Sequence, residues 1–315
     1  MDLNRIKAMI IGHAVGDALG VPVEFMSREE ISLSPVCNMR GYGTHHQPPG
    51  TWSDDTSMTL CLLESITRLG RIDYADIMDN FVYWLRQEEF TATGVVFDVG
   101  MASQASIYRY EQGTPPLSCG GSNEWDNGNG SLMRIAPLVL YLSKQGISSS
   151  RDILQQAHNM SRLTHAHPRS QIACGIYTQI AFNLFAKQPL LTAIKRGLST
   201  AQASYEKDNL YAEELTHYKR LLHFEDFIQL PQTNIKSSGY VVDTLESSLW
   251  CLANTKNYRE AVLAAVNLGN DTDTTAAITG SLAGLAYGLE NIPAEWRASL
   301  LRLDYIENLC QKLIQ

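Results

Sequence analysis

The chain has 315 residues, of which 44% are hydrophobic and 18% charged, a composition typical of globular proteins and unlike that of disordered ones. Acidic residues exceed basic ones by 33 to 25, and the net charge of −8 argues against sequence-independent binding to nucleic acid or to an anionic membrane. A ligand that carries phosphate therefore needs a local positive element, because the overall field opposes it.

Cysteine usage and the N-terminal residues favour a cytoplasmic protein. The six cysteines are scattered without a Cys-x-x-Cys pair, which is typical of reduced thiols in a protein core rather than of a zinc or redox site. The apolar N-terminal stretch is interrupted by His13 and Asp17 and has no basic region before it, so we do not expect a signal peptide. The uncharged run 274–289 is shorter than the ~20 residues that span a bilayer, and we expect a buried helix there.

Helical periodicity dominates the chain from its start. Glycines at positions 12, 16 and 20 share one helix face, which predicts that the first helix packs closely against another. Apolar residues then repeat at helical spacing up to Leu69, where Gly70 predicts a helix end, and Asp73 is placed to cap the next helix. The C-terminal segment 296–313 is amphipathic in the same way.

Strand signals are weak and isolated. Only segments 95–97 and 240–242 read as short strands, and strand and helix patterns do not alternate along the chain. Three long irregular segments, 41–52, 112–130 and about 227–239, interrupt the helices, and loops of this length in a compact domain are usually functional. We therefore predict an all-α protein with a single domain over residues 1–315.

Two acidic strings carry the clearest chemical signal. Ser53-Asp54-Asp55-Thr56 and Asp271-Thr272-Asp273-Thr274 each open a predicted helix, where one residue could serve as an N-cap. A cap explains only one carboxylate in each string. Together the strings offer oxygen ligands without His or Cys, which suits a hard divalent cation such as Mg²⁺ or Mn²⁺. Four carboxylates would be neutralised by two such ions and would repel one another without them.

Several motifs, in chain order, resemble the ADP-ribosylglycohydrolase family, and most closely its dinitrogenase-reductase-activating glycohydrolase type. The motifs are Gly16-Asp17-Ala18-Leu19-Gly20 with Glu24, Gly50-Thr51-Trp52-Ser53-Asp54-Asp55-Thr56, Phe97-Asp98-Val99-Gly100, Gly128-Asn129-Gly130-Ser131 with Met133-Arg134, the segment 238–246, and Asn267-Leu268-Gly269-Asn270-Asp271-Thr272-Asp273-Thr274. They cover nearly the whole chain.

The resemblance implies a compact, single-domain orthogonal helical bundle with a binuclear magnesium or manganese centre. Glu24 matches the acidic residue that approaches the metals and the substrate ribose. Carried over by motif, the ligands of two Mg²⁺ ions, or alternatively Mn²⁺, would be Ser53, Asp54, Asp55, Asp271, Asp273 and Thr274.

One loop and three single residues are further candidates near the substrate. The loop Gly128-Asn129-Gly130-Ser131 precedes an apolar stretch, and a helix start there could bind the diphosphate through backbone N–H groups, although an ordinary turn has the same composition. Arg134 could add positive charge or form a structural ion pair. His165 is interpreted as a cleft-wall or structural residue, because Pro168 favours an extended segment before it. Tyr240 could stack on the ribose or adenine, or pack in the core.

The implied function is a metal-dependent hydrolase that cleaves the bond between C1″ of ADP-ribose and a modified protein, with arginine as the favoured acceptor and a metal-activated water as nucleophile. Glu24 is the candidate general acid or base, and Asp55, a metal-proximal aspartate, is an alternative. Asp98 matches the acid that faces the guanidinium in the arginine-directed branch; otherwise it is a turn residue.

The partners implied are an ADP-ribosylated protein and the product ADP-ribose, without nucleic acid or membrane. Two alternatives stay open. One is hydrolysis of serine-linked, polymeric or small-molecule conjugates. The other is a non-catalytic protein that binds ADP-ribose. The sequence does not define the oligomeric state, and we favour a monomer.

Overall fold

Helices make up the regular structure of residues 1–314, which are the residues that this computed structural model describes. Within that range no strand occurs, and two isolated bridges join Gly121 to His165 and Gly128 to Tyr240. The prediction of an all-α fold is confirmed. The helices are α1 (Leu3–Gly20), α2 (Arg28–Leu33), α3 (Asp54–Leu69), α4 (Tyr74–Gln87), α5 (Met101–Glu111), α6 (Ala136–Lys144), α7 (Ser150–Arg162), α8 (Pro168–Phe185), α9 (Leu190–Tyr205), α10 (Asn209–Leu215), α11 (Lys219–Leu222), α12 (Phe224–Phe227), α13 (Val241–Ala253), α14 (Tyr258–Val266), α15 (Thr272–Tyr287), α16 (Ala294–Ser299) and α17 (Leu303–Lys312).

The pair α1 and α15 forms the centre of the fold. A Cβ atom added to Gly16 would lie 2.1 Å from the carbonyl oxygen of Ala276, and one added to Gly20 would lie 2.3 Å from the Cα of Asp273. The two helix backbones therefore touch, as the four-residue glycine spacing predicts. This contact places the start of α15, with its acidic string, directly beside the end of α1.

Helix α1 with its following turn, Leu3–Val23, is long and apolar enough to cross a membrane by length and composition alone. In the structure 94% of its apolar window is buried against other parts of the chain. The buried apolar residues of the helices form one contiguous cluster to which α1 contributes along its length. We therefore describe α1 as a core helix; the cytoplasmic location and the single-domain organisation stay predictions.

The break between α16 and α17 positions the start of α3. Arg302 takes a left-handed backbone conformation there, with φ of 53°. The backbone N–H of Leu301 donates to the carbonyl of Gly50 over 3.0 Å, and the indole of Trp52 donates to the carbonyl of Leu301 over 3.0 Å. The C-terminal helices thus hold the segment that leads into Ser53.

Both candidate strands are wrong. Segment 95–97 is irregular, and residues 241 and 242 open α13 instead. Ser238 accounts for the helix start, because its hydroxyl donates to the Asp243 carboxylate over 2.7 Å and accepts from the N–H of Tyr240 over 3.3 Å. Burial of Val241 and Val242 in the core outweighs the modest preference of valine for strands.

Candidate active site

A cleft of about 860 Å³ opens where the N-termini of α3, α5 and α15 meet. Its lining includes Glu24, Phe25 and Asp54, and further residues come from the segments 98–105, 125–133, 238–239 and 270–274. Most of these segments are loops or helix starts, which the packed helices hold in place. The cleft therefore collects side chains that are far apart in the sequence.

The start of α3 presents two aspartates that are not needed as caps. Ser53 is the N-cap, and its hydroxyl accepts from the N–H of Asp55 over 3.3 Å. Asp17 of α1 accepts from the N–H groups of Ser53 and Thr56 over 2.9 and 3.0 Å and from the Thr56 hydroxyl over 2.6 Å. Because Ser53 and Asp17 accept from three N–H groups of this helix end, the side chains of Asp54 and Asp55 are not needed as caps and are available for other ligands.

Asp17 is a residue whose role the sequence analysis missed. It lies in the last turn of α1 and is fully buried, and burial raises its pKa to about 6 while the hydrogen bonds from Ser53 and Thr56 oppose that rise. Its signal in the sequence is an acid within an otherwise apolar helix. Asp17 acts by positioning the α3 string.

The start of α15 meets the α3 string in space. The hydroxyl of Thr274 donates to Asp55 Oδ2 over 3.2 Å, and Ser53 Oγ lies 3.2 Å from the same oxygen. Asp271 Oδ2 accepts from the amide of Asn129 over 2.6 Å, and Asp273 Oδ1 accepts from the N–H of Thr274 over 2.9 Å. The predicted ligands from the two strings thus form one cluster at the cleft floor.

The cluster has the chemistry of a site for divalent cations. Three of its buried carboxylate oxygens have no hydrogen-bond partner within residues 1–314: Asp55 Oδ1, Asp271 Oδ1 and Asp273 Oδ2. Glu24, Asp271 and Asp273 each present an oxygen within 4.8 Å of the others. Burial first, and then the neighbouring carboxylates, raise the pKa values of Asp54, Asp55 and Asp273 well above their ordinary value. Unpaired oxygens at such close range fit hard cations, which would replace both the missing partners and the missing positive charge.

Glu24 lies beside this cluster, four residues after the end of α1. Its side chain is 4% exposed, and its Oε2 is 2.5 Å from Nε2 of His45. Burial and the nearby carboxylates of Asp98 and Asp271 raise the pKa of Glu24, while burial lowers the pKa of His45. The two side chains therefore share one hydrogen bond at this contact.

Asp98 lies in the loop between α4 and α5 and lines the cleft. Its backbone is left-handed, with φ of 53°, which is uncommon for a residue other than glycine. Its carboxylate has an oxygen within 4.8 Å of ligand atoms of both Glu24 and His45. Asp98 therefore lies next to Glu24 at the edge of the acidic cluster, and its position is not restricted to the part of the cleft where the acceptor would bind.

The glycine loop also borders the cleft, but only some of its residues line it. Gly128, Asn129 and Gly130 line the cleft, whereas Ser131 is buried and accepts from the Ser161 hydroxyl over 3.0 Å. The following helix, α6, begins only at Ala136, so the loop is not itself a helix N-terminus. The predicted anion site at Gly128–Ser131 therefore lacks the helix on which it was based.

Arg134, His165 and Tyr240 each have a defined position. Arg134 is fully buried and donates to the carbonyls of Gly130 and Met160, so it supports the loop from behind and contributes no ion pair. His165 lines the cleft, is 2% exposed and has Nδ1 2.7 Å from the hydroxyl of Thr164. Tyr240 is outside the lining, and the Arg169 guanidinium lies 5.8 Å from its ring centroid.

A second feature that the sequence analysis missed is the start of α5. The first ladder bond of this helix runs from the N–H of Gln104 to the carbonyl of Gly100, so the N–H groups of residues 101–103 have no intrahelical acceptor. Ser103 lines the cleft, is 1% exposed, and its hydroxyl has no partner in the described part of the chain. A Cβ atom on Gly130 would lie 3.0 Å from that hydroxyl, so the glycine loop faces this helix start.

Comparisons with known proteins agree with this arrangement. The sequence profile of the ADP-ribosylglycohydrolase family matches residues 1–315. The chain is 33% identical to an ADP-ribosylarginine hydrolase of Serratia proteamaculans, over 99% of this chain and 79% of the relative. It is also 33% identical to the ADP-ribosyl-[dinitrogen reductase] glycohydrolase of Rhodospirillum rubrum, over 94% of this chain and 90% of the relative. A solved structure described as an ADP-ribosylglycohydrolase-related protein complex superposes with a TM-score of 0.79 at 31% identity, covering 99% of this chain and 97% of the other.

Proposed function

The chain belongs to the ADP-ribosylglycohydrolase family and is a hydrolase, and we propose that it removes ADP-ribose from modified arginine side chains of a protein. The observation that carries this proposal is the cluster of buried, unpaired carboxylate oxygens in a cleft that also contains the free backbone N–H groups at the start of α5. The relative named as an ADP-ribosylarginine hydrolase supports arginine as the acceptor, and the relative named for dinitrogen reductase supports a modified protein as the substrate.

The proposed cofactors are two divalent cations, Mg²⁺ or alternatively Mn²⁺. Their ligands would be Ser53, Asp54, Asp55, Asp271, Asp273 and Thr274, of which three aspartates carry unpaired oxygens. When bound, such ions act as Lewis acids that orient ribose hydroxyls and lower the pKa of water. The side chains of this cluster bind the ribose end of the substrate at the cleft floor.

Glu24 is proposed to transfer protons during hydrolysis, and Asp98 is proposed to orient the guanidinium leaving group. Hydrolysis adds water across the bond between C1″ and the guanidinium nitrogen, so the water loses a proton and the departing guanidine gains one. Glu24 is placed to exchange a proton at its carboxyl group, and its raised pKa suits an acid. Asp98 orients the guanidinium, because a carboxylate matches that planar cation in charge and geometry. Asp55 remains the alternative base.

The diphosphate is proposed to bind between the start of α5 and the glycine loop. The free N–H groups of residues 101–103 and the positive end of the α5 dipole attract anions. The Ser103 hydroxyl offers one further donor in the same place. This arrangement supplies the local positive element that the net charge of −8 makes necessary.

The test is a parallel incubation with ADP-ribosyl-arginine, ADP-ribosyl-serine and poly(ADP-ribose), each with Mg²⁺, with Mn²⁺ and with a chelator. We expect free ADP-ribose to be released fastest from the arginine conjugate and only when a divalent cation is present. If ADP-ribose were released only from the serine conjugate or only from poly(ADP-ribose), the proposed arginine acceptor would be wrong. Binding of ADP-ribose without release from any conjugate would favour the non-catalytic alternative.

A further inference from the structure

We infer that His45 is a positioning residue that holds the carboxyl group of Glu24, an assignment that rests on the function proposed for Glu24. His45 belongs to the irregular segment 41–52, and neither the acidic strings nor the glycine loop includes it. The geometry points to this role through three sets of contacts, which concern the backbone, the imidazole ring and the carboxyl group.

The segment around His45 is fixed to the segment around Glu24 by its backbone. Thr44 donates its N–H to the carbonyl of Pro22 over 3.1 Å and its hydroxyl to the carbonyl of Glu24 over 2.7 Å. A Cβ atom on Gly43 would lie 1.7 Å from the carbonyl oxygen of Pro22, so only glycine allows this approach. Consecutive residues, Thr44 and His45, thus contact the backbone and the side chain of Glu24.

The imidazole ring of His45 contacts two phenylalanine rings. Its centroid is 5.1 Å from that of Phe97 and 5.8 Å from that of Phe25. Phe25 has a left-handed backbone with φ of 65°, and its N–H donates to the carbonyl of Asn270 over 2.7 Å. The side chain of His45 is only 13% exposed. These contacts leave the ring little freedom to turn away from Glu24.

The position of Glu24 among other acids explains why such support is needed. Glu24 shares its surroundings with Asp98, Asp271 and Asp273, and like charges at this range repel one another. A glutamate has three rotatable side-chain bonds and would relax away from the cluster if nothing held it. The contact with His45 is made through Oε2 of Glu24 and fixes one end of its carboxyl group.

The kinetic test compares His45→Ala, His45→Gln and the neighbouring exposed control His46→Gln. We expect His45→Ala to lower kcat on the arginine conjugate by about ten- to a hundredfold, the range for losing a hydrogen bond to a charged group. KM and the affinity for ADP-ribose should change less than about threefold, because Glu24 and the other proposed binding residues are still present in this variant. His45→Gln should recover part of kcat, since its amide can still bond the carboxyl group, and His46→Gln should behave as wild type.

A double-mutant cycle shows whether His45 acts through Glu24. In a Glu24→Gln background, His45→Ala should cause little further loss of kcat, because the group that it positions is already inactive. Independent, multiplicative losses would overturn the inference. An equal loss in His46→Gln would overturn it as well, because it would indicate damage to the whole loop.

A spectroscopic measurement separates this inference from the proposed function. In wild type the proton shared by His45 and Glu24 should give a strongly deshielded NMR signal that is retained in His46→Gln and absent from His45→Gln and Glu24→Gln. If the wild type hydrolyses no conjugate but shows this signal, the proposed function fails and the contact stands. If it is active but the signal does not depend on His45 and Glu24, the inference fails and the function stands.

Discussion

Two buried polar regions of this protein differ in how their polar atoms are paired. In the first, between α7, α8, α9 and α10, His158 Nε2 is 2.9 Å from the Tyr205 hydroxyl, and His158 Nδ1 is 3.0 Å from that of Tyr211. Tyr211 in turn donates to Gln171 Oε1 over 2.8 Å. One neutral tautomer satisfies this chain: Tyr205 donates to Nε2, and Nδ1 donates to Tyr211. In the acidic cluster, by contrast, three carboxylate oxygens are left unpaired.

The difference indicates which region is built for a ligand. A paired polar network in a core stabilises one arrangement of the helices, whereas an unpaired buried carboxylate oxygen costs folding free energy. Asp55, Asp271 and Asp273 retain that cost, which a bound cation would remove. The four predictions that follow test the two regions against each other.

The largest effect is expected at the acidic cluster. Asp54→Ala and Asp273→Ala should each lower hydrolysis by more than about a hundredfold, the upper range for residues that merely support a metal ligand. Divalent-ion binding measured by calorimetry should weaken in parallel. In chelator the melting temperature should stay the same or rise, because each substitution removes one of several repelling charges.

Glu89→Ala is the matched control for this prediction, since it removes a carboxylate that is exposed on the surface. It should alter neither ion binding nor hydrolysis. Unchanged divalent-ion affinity in both aspartate variants would refute the ligand assignment. A large fall of the melting temperature in chelator would instead indicate that these aspartates stabilise the fold, as the paired polar groups around His158 do.

The next prediction concerns Asp98, which lies beside Glu24 and is the residue proposed to contact the guanidinium of the acceptor. Asp98→Asn keeps the shape and removes the charge, so kcat/KM on ADP-ribosyl-arginine should fall about ten- to two-hundredfold. The affinity for free ADP-ribose should stay almost the same. Asp126→Asn, which removes a charge from the same cleft on the glycine-loop side, should have a smaller effect. An unchanged rate for Asp98→Asn would remove Asp98 from the site.

The paired region makes a prediction about pH. Burial lowers the pKa of His158 to about 4, below its ordinary value of 6.5, because the ring is held neutral. Its contribution to stability is therefore complete above pH 6.5 and is lost as the pH falls through 4, and it amounts to about 3 kcal/mol. His158→Gln should flatten the fall of the unfolding free energy between pH 6.5 and 4, measured by urea titration. The exposed control His223→Gln should keep the wild-type profile; an identical slope in both variants would contradict the prediction.

The sequence predicted the parts of the site that depend on neighbours along the chain. The acidic strings are visible because each opens a helix with more carboxylates than capping requires. The glycine spacing of α1 predicted close packing against another helix, which the structure identifies as α15. Residues that act across the fold were not predictable in this way. Asp17 caps α3 from another helix, and His45 reaches Glu24 from a different loop, so neither has a local pattern.

The errors in the sequence analysis have the same origin. The valines at positions 241 and 242 suggested a strand, but the side chains of Ser238 and Asp243 start a helix there. The glycine loop was expected to begin a helix, while the free helix start is that of α5, whose Gly100 gives no side-chain cap. In each case a tertiary contact decided between two locally possible structures.

The smallest effect is expected at Ser103, where the two kinds of buried polar group occur on one helix. Ser103 has an unpaired hydroxyl in the cleft, whereas the Ser106 hydroxyl, one turn later, lies 2.8 Å from the carbonyl of Ala102 and accepts from Arg109 over 2.9 Å. Ser103→Ala should weaken ADP-ribose binding about three- to tenfold, because the backbone N–H groups of residues 101–103 still bind the diphosphate. It should also raise the melting temperature slightly, because it removes an unpaired group. Ser106→Ala should do the reverse, lowering the melting temperature and leaving the affinity unchanged. Calorimetric titration and thermal unfolding of both variants measure the two effects side by side. If Ser103→Ala lowers stability without changing affinity, its hydroxyl belongs to the core, and the diphosphate is not bound at the start of α5.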